Sequence, residues 1–161
     1  MRSTSSAPAR TPRRGAESLL PDPYAATDAD AFIARTLEDW AAGRSAAFAI
    51  AAAGDQERLL GSITVHAPRE RRAFVGYWVA PWARRRGVAT RALRLVSRWA
   101  MREMGLVRLA LYTLPGNVAS QTVATRCGFV EEGILRNYTD DRGRPVDCVM
   151  YSLVPEDLSP E

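Results

Sequence analysis

The chain has 161 residues, which suits one domain around a single core. It is 47% hydrophobic and 25% charged, and no apolar run approaches the roughly 18 residues a membrane-spanning helix needs, so no helical membrane protein is expected. The net charge is +4, and every basic residue is an arginine; that balance suits an anionic ligand without demanding nucleic acid. Cys127 and Cys148 lack metal-ligand spacing and His66 is the single histidine, so no metal site is expected, and two free thiols in a reducing cytoplasm are the default.

The first twenty residues are rich in Arg, Ser and Pro and lack the apolar stretch of a secretory signal. They read as a flexible basic segment, residues 1–20, ahead of one domain over residues 21–158. Asp28 is a candidate cap for a helix running to about Gly43, with Phe32, Ile33, Leu37 and Trp40 at helical spacing. "SAAFAIAAA" then reads as a strand, "GDQE" as a turn, "RLLGSITVHA" as a second strand, "PRERR" as a polar turn and "AFVGYWVAP" as a third strand ended by Pro81.

From Gly87 the period changes to that of a helix. Ala89, Ala92, Leu93, Val96, Trp99 and Ala100 share one face, and Arg91, Arg94, Arg98 and Arg102 the other. That basic stripe reads as a solvated helix face in preference to a DNA-reading one. Gly105 ends the helix. "LVRLALYTL" is a strand, Asn117 caps a short helix to about Cys127, and "GFVEEGILR" and "PVDCVMYSLV" are two strands around a polar loop. Strand–helix–strand over residues 74–113 implies a parallel crossover within a mixed, mostly antiparallel sheet. The class is α/β (α+β), with helices on the sheet faces.

Three arginines, Arg84, Arg85 and Arg86, stand at the seam between the third strand and the helix. A helix start exposes unpaired N–H groups and a partial positive charge, so it can hold a phosphate. Gly87 lets the backbone come close, Ala89 is small, and Thr90 adds a hydroxyl. The chain lacks both the Gly-x-x-x-x-Gly-Lys-Ser/Thr loop and the Gly-x-Gly-x-x-Gly fingerprint, which disfavours nucleoside triphosphate hydrolysis and hydride transfer.

Three segments together resemble the GNAT acyl-CoA N-acyltransferases, and within them the RimJ/RimL-type ribosomal-protein N-terminal acetyltransferases. "GYWVAPWARRRGVATRAL" is similar to the strand, pyrophosphate loop and helix that bind coenzyme A, with Arg84-x-x-Gly87-x-Ala89 at the family's (Gln/Arg)-x-x-Gly-x-(Gly/Ala). "NVASQTVATRCGFVEEGILR" resembles the next helix and strand, with Asn117, Ser120, Gly128, Phe129 and Gly133 in order. "GRPVDCVMYSLVPEDL" resembles the last strand, with Asp147 and Tyr151 in place.

The resemblance implies acetyl-CoA as cosubstrate, no metal, and an acceptor that is a primary amine, on a peptide N-terminus or a small molecule. It implies a cofactor seat where strands 74–80 and 107–113 splay apart. The pantetheine arm would pair near Trp78 and Val79, the pyrophosphate would lie on Arg84, Arg85, Arg86, Gly87, Val88, Ala89 and Thr90, and Asn117 would touch the cofactor from the far side. Ser120 would serve the departing thiolate, and a backbone N–H near Val79 the developing oxyanion. Relatives carry a glutamate base where this chain has Phe74. Tyr138, Asp140, Glu132 or ordered water are the substitutes, or the amine arrives already deprotonated.

Relatives also begin with a strand and helix that this chain lacks, which would leave a sheet edge for a homodimer or strand exchange to cover. His66 reads as structural. Tyr151 and Asp147 read as a core and a polar-network residue, with Asp147 also able to help bind an amine. Two functions follow: an acetyl-CoA-dependent N-acetyltransferase of the cytoplasm, or a non-catalytic acyl-CoA-binding module.

Overall fold

The computed structural model describes residues 26–141 and 143–158, so the expected flexible segment over residues 1–20 lies outside the described residues. The elements in chain order are α1 (Ala26–Ala41), β1 (Ser45–Ala52), β2 (Asp55–Arg69), β3 (Arg72–Val79), α2 (Val88–Glu103), β4 (Arg108–Thr113), α3 (Val118–Arg126), β5 (Val130–Asp141) and β6 (Arg144–Leu153), with one-turn 3₁₀ segments at Pro81–Ala83 and Pro155–Asp157. The strands form a sheet in the order β1-β2-β3-β4-β6-β5. Every neighbouring pair is antiparallel except β3 and β4, which are parallel and joined through α2. This is the mixed sheet with one parallel crossover that the strand–helix–strand pattern predicts.

Several expected boundaries shift: the polar turn expected over "PRERR" shrinks to Glu70 and Arg71, because β2 runs to Arg69 and β3 starts at Arg72, and the strand expected over "GFVEEGILR" runs on to Asp141. The first helix begins at Ala26, so Asp28 lies within its first turn and is not the cap. Gly43, at φ 65°, does end that helix. The turn expected over "GDQE" shrinks to its first part, because β2 begins at Asp55.

One face of the sheet carries the core. Ile63, Val65, Ala73, Val75, Leu109, Leu111, Tyr151 and Leu153 are buried there beneath Leu93, Val96 and Ala100 of α2 and Ala124 of α3. The α2 stripe is therefore the face read from sequence, and Arg91, Arg94 and Arg102 are on its exposed side. Helix α1 flanks the edge strand β1, where Trp40 packs edge-on against Phe48 and Phe48 against Trp99, with ring centroids 5.5 and 5.0 Å apart. Its other apolar residues stay largely exposed, up to 66% at Leu37.

The opposite face bears Phe74, Gly76 and Trp78 of β3 beside Ala110 and Tyr112 of β4. Where β3 and β4 are still paired, this face is tied together by charge. Arg108 on β4 donates from Nη1 and Nη2 to Glu132 on β5 at 2.7 and 2.5 Å, and Ser152 on the intervening β6 donates its hydroxyl to the same carboxylate at 2.8 Å. These bonds hold the Glu132 carboxyl down from 4.5 to about 2. Tyr151, buried, donates its hydroxyl to Glu131 at 3.0 Å, and Asp147 accepts from the Asn137 backbone, which fits their core and polar-network roles.

Gly61 sets how β2 meets the end of β3. A β-bulge separates Ile50↔Gly61 from Ala51↔Leu59, and a Cβ built on Gly61 would stand 2.2 Å from the Trp78 carbonyl oxygen. Backbone cannot yield that distance cheaply, so Gly61→Ala should destabilise the fold by ~1–3 kcal/mol in urea unfolding. A change below ~0.5 kcal/mol would show that the strand end is not constrained there.

The lowered Glu132 pKa gives a second test. A depressed folded-state pKa contributes stability above the unfolded value and loses it as pH falls through the folded one. Because the pair is about one-third exposed, its contribution is ~0.2–1 kcal/mol. Glu132→Gln should lower Tm at pH 7, and the gap to wild type should close between pH 4.5 and about 2. A gap that persists unchanged down to pH 2 would show that the carboxylate charge is not its source.

Candidate functional site

The parallel pairing of β3 with β4 is short. Arg72↔Arg108, Ala73↔Leu109 and Phe74↔Ala110 are its only register partners. Beyond them both strands continue, held on their outer sides: β3 stays on β2 as far as Val79↔Gly61, and β4 stays on β6 as far as Thr113↔Val149. The inner edges of residues 75–79 and 111–113 therefore diverge with no strand between them. Strand edges that face a gap have no ladder partner there, an arrangement that suits an extended chain.

Each strand runs from the gap into a loop and a helix. After β3, Ala83 donates to the Ala80 carbonyl and Arg84 Nε donates to the Val79 carbonyl at 3.1 Å. That second bond engages the Val79 carbonyl, and of the backbone groups of Val79 the N–H is the one left for a ligand. The chain then turns through Arg85 at φ 59° and Gly87 at φ 70°, both left-handed, with Arg86 between them. Arginine at positive φ is uncommon and marks a loop whose path is fixed by something other than local preference.

Gly87 caps α2 and offers no side chain to its first amides. Those N–H groups and the dipole behind them follow directly on the exposed Arg84, Arg85 and Arg86, a setting that suits an anion. Val88 is buried and anchors the turn, while Ala89 and Thr90 are half-buried beside it. The structure thus brings Trp78, Val79 and residues 84–90 to one end of the gap.

On the other side, Asn117 caps α3, and its Oδ1 accepts from the Ser120 N–H at 2.9 Å. Capping engages the carbonyl oxygen of Asn117, which leaves its amide nitrogen for a ligand. The Ser120 hydroxyl makes no hydrogen bond among the described residues. Thr113, at the end of β4, is 6% exposed with a hydroxyl that has no partner among the described residues. An orphaned buried hydroxyl on the lip of the gap suits a polar chain lying in it.

Phe74 stands at the vertex of the splay. It meets Tyr112 edge-on, and Tyr112 meets Tyr138, with centroids 6.3 and 5.2 Å apart. Tyr138, chosen from sequence as a substitute base, is thus linked to Phe74 through one ring. Burial pushes its phenol up, which keeps it protonated at neutral pH. Asp140 lies near the tip of the β5–β6 hairpin, opposite Pro145, and no described contact ties it to the splay. Glu132 is committed to Arg108 and Ser152. His66 lies across from Phe74 on β2, and burial lowers its pKa against the opposing pull of Asp39.

Sequence reasoning passes over Tyr112 and Gly61. An isolated glycine inside a strand signals a bulge or a close approach, and that signal points to Gly61. No local signal marks Tyr112, whose neighbours come from other strands.

With this geometry in hand, known proteins can be compared. The family model described as "Acetyltransferase (GNAT) domain" matches residues 7–130. The uncharacterized N-acetyltransferase YoaA of Bacillus subtilis is 34% identical over 102 residues, which are 62% of this chain and 58% of that protein; the chain therefore spans under two thirds of this relative. Mycobacterium smegmatis RimJ in complex with CoA-disulfide superposes with a TM-score of 0.79 at 26% identity, covering 87% of this chain and 67% of that one. The ribosomal L7/L12 α-N-protein acetyltransferase RimL shares the fold, with a TM-score of 0.72 at 21% identity over 80% of this chain and 72% of its own. Splayed parallel strands, a helix start without a side-chain cap and the matched family model agree, and the chain belongs to the GNAT acetyltransferase-domain family.

Proposed function

We propose that the protein is an N-acetyltransferase that transfers the acetyl group of acetyl-CoA to a primary amine, with a peptide N-terminus as the acceptor. The observation that carries this reading is the unpaired gap between β3 and β4, opening onto a helix start that has Gly87 as its cap and three arginines before it. The CoA complex of the RimJ neighbour and the name of YoaA support it. Free Cys127 and Cys148 fit a reducing cytoplasm.

Acetyl-CoA supplies an activated thioester and a pyrophosphate handle. The chain's own residues do the rest. Amides of residues 87–90 and the guanidiniums of Arg84, Arg85 and Arg86 hold the pyrophosphate. The gap edges and the Asn117 amide hold the pantetheine arm, with Thr113 as a further polar partner. The Val79 N–H stabilises negative charge on the carbonyl oxygen as the amine attacks. Ser120 hydrogen-bonds the departing thiolate. No carboxylate stands at the vertex, because Phe74 occupies that place, so the acceptor amine arrives already deprotonated; as the C–N bond forms and the C–S bond breaks, the proton lost by the nitrogen passes through solvent to the departing thiolate, which leaves as CoA thiol.

Three outcomes test this. Gly87→Asp places bulk, strain and a negative charge at the anion seat, so calorimetry should show CoA affinity falling at least ~100-fold, about 2.7 kcal/mol; affinity within twofold of wild type would remove the loop from the site. Ser120→Ala should lower kcat about tenfold with KM for acetyl-CoA little changed. A raised KM with unchanged kcat would make Ser120 a binding residue only. Finally, the midpoint of kcat/KM against pH should follow the acceptor, near ~8 for a peptide α-amine and ~10 for a lysine-like amine. One fixed midpoint for all acceptors would assign the base to the enzyme.

The absence of a carboxylate at Phe74 also favours a second reading, a module that binds acyl-CoA without turning it over. Tight CoA binding with no amine-dependent thioester cleavage across an acceptor panel would select it.

A further inference from the structure

A cleft of about 460 Å³ opens on the sheet face that carries Phe74, at the closed end of the splay. Its apolar lining is Phe74, Ala110 and Met150. Its polar lining is Arg69, Arg72 and Arg108, with Glu70. The three arginines are register partners across adjacent strands: Arg69 of β2 opposite Arg72 of β3, and Arg72 opposite Arg108 of β4. Neighbouring strands are ~4.8 Å apart, and like charges placed directly opposite one another are destabilising. A row of three cations across three strands is therefore held at a cost.

The carboxylates nearby do not cancel it. Glu132 takes up Arg108 in a bidentate pair. Arg72 Nη1 reaches Glu70 at only 3.6 Å, with that carboxylate 88% exposed, and such pairs contribute little. Arg69 has no ionic partner among the described residues. Three cations thus face two carboxylates, one of them loosely placed.

The hairpin that presents the row is fixed in place. Glu70 and Arg71 both adopt positive φ, 46° and 63°, the primed-turn geometry usually left to Gly and Asn. Contacts to the α2–β4 loop hold them there: Arg71 Nε donates to the Gly105 carbonyl at 2.8 Å, and Val107 N–H donates to the Arg71 carbonyl at 2.7 Å. Strain of this kind persists only where surroundings over-determine it. The result is a rigid shelf of charge just beyond the vertex.

We infer that this cleft receives the acceptor and that it selects amines carrying a carboxylate, held on Arg69 and Arg72 while the amine points to the splay. The inference rests on the acetyltransferase reading above. With pantetheine entering from the helix end of the gap, the acceptor must come from the other side of Phe74, where the cleft lies. Strands rise ~3.3 Å per residue, so the row stands ~7–13 Å from the stretch between Phe74 and Gly76 where the splay begins. An extended peptide covers that span with the side chain of its second or third residue. The acceptor class is thus a peptide N-terminus with Asp or Glu at position two or three, or a small amine with a carboxylate at similar reach. A polyamine would bring cations to a cationic shelf.

The test compares acceptors of equal length, Ala-Glu-Ala-Ala, Ala-Gln-Ala-Ala and Ala-Lys-Ala-Ala as C-terminal amides, with 6-aminohexanoate and spermidine as small amines. With wild-type enzyme and saturating acetyl-CoA, kcat/KM should fall in the order Glu, Gln, Lys, with at least ~10-fold between the ends, carried by KM and shrinking with added salt. Preference for the glutamyl peptide over 6-aminohexanoate assigns the carboxylate to a peptide, and the reverse assigns it to a small molecule. Arg69→Gln with Arg72→Gln should compress the Glu-to-Lys ratio to within about twofold while CoA affinity is retained. An unchanged ratio in that variant, or a preference for the lysyl peptide or spermidine, overturns the inference. Direct binding of N-acetyl-Ala-Glu-Ala-Ala amide is measured alongside. If no amine consumes thioester, the acetyltransferase reading fails; if the acidic peptide also does not bind, or binds the double variant equally well, the cleft assignment fails with it.

Discussion

The proposed site depends on one interrupted ladder. β3 and β4 pair in parallel for three residues and then part, while each is held by antiparallel pairing on its other side. The outer ladders keep the gap from closing, and the helices that follow the two strands bring their starts to its open end. Backbone groups on the facing edges gain most from a chain that lies between them as a strand would. The same break creates the vertex at Phe74, and on the proposed reading it divides a cofactor side from an acceptor side.

Charge is divided along the same line. At the open end, Arg84 Nε binds the Val79 carbonyl and helps shape the loop, while Arg85 and Arg86 lie exposed beside the first amides of α2, which no side chain caps. At the closed end, a second set of arginines forms a row that nearby carboxylates only partly neutralise. A third set follows the outer side of α2, where Arg94 donates to the Arg126 carbonyl at 2.7 Å and so joins that helix to α3. One residue type thus does three kinds of work, decided by the backbone position that presents it. Electrostatics of this arrangement favour an anion at each end of the gap.

Most of the element order was legible in the sequence because the signals were local. The 3.6-residue period of Ala92, Leu93, Val96 and Ala100 marked α2 and its buried side, Asn117 marked the start of α3, and Arg84-x-x-Gly87-x-Ala89 marked the loop. Asp28 misled because helix starts are read from capping residues, and the chain enters α1 two residues earlier. The apolar stripe of α1 was legible, yet in the described structure much of it stays exposed. The acceptor side was illegible for a different reason. Arg69, Arg72 and Arg108 become a row, and Phe74, Tyr112 and Tyr138 a ladder, only through strand register, which no local pattern specifies. Glu132 likewise read as a substitute base until its bonds to Arg108 and Ser152 were seen.

The central claim is that the β3–β4 gap and the start of α2 form one seat for coenzyme A. Hydrogen exchange of the protein with and without saturating CoA measures this directly, since a ligand that pairs with backbone slows exchange of the amides it covers. Bound CoA should slow exchange over residues 76–79, 87–91 and 111–113, with the β1–β2 ladder and the tip of the β5–β6 hairpin unchanged. Protection confined to other segments, with residues 76–79 and 87–91 exchanging as fast as in the free protein, would contradict it.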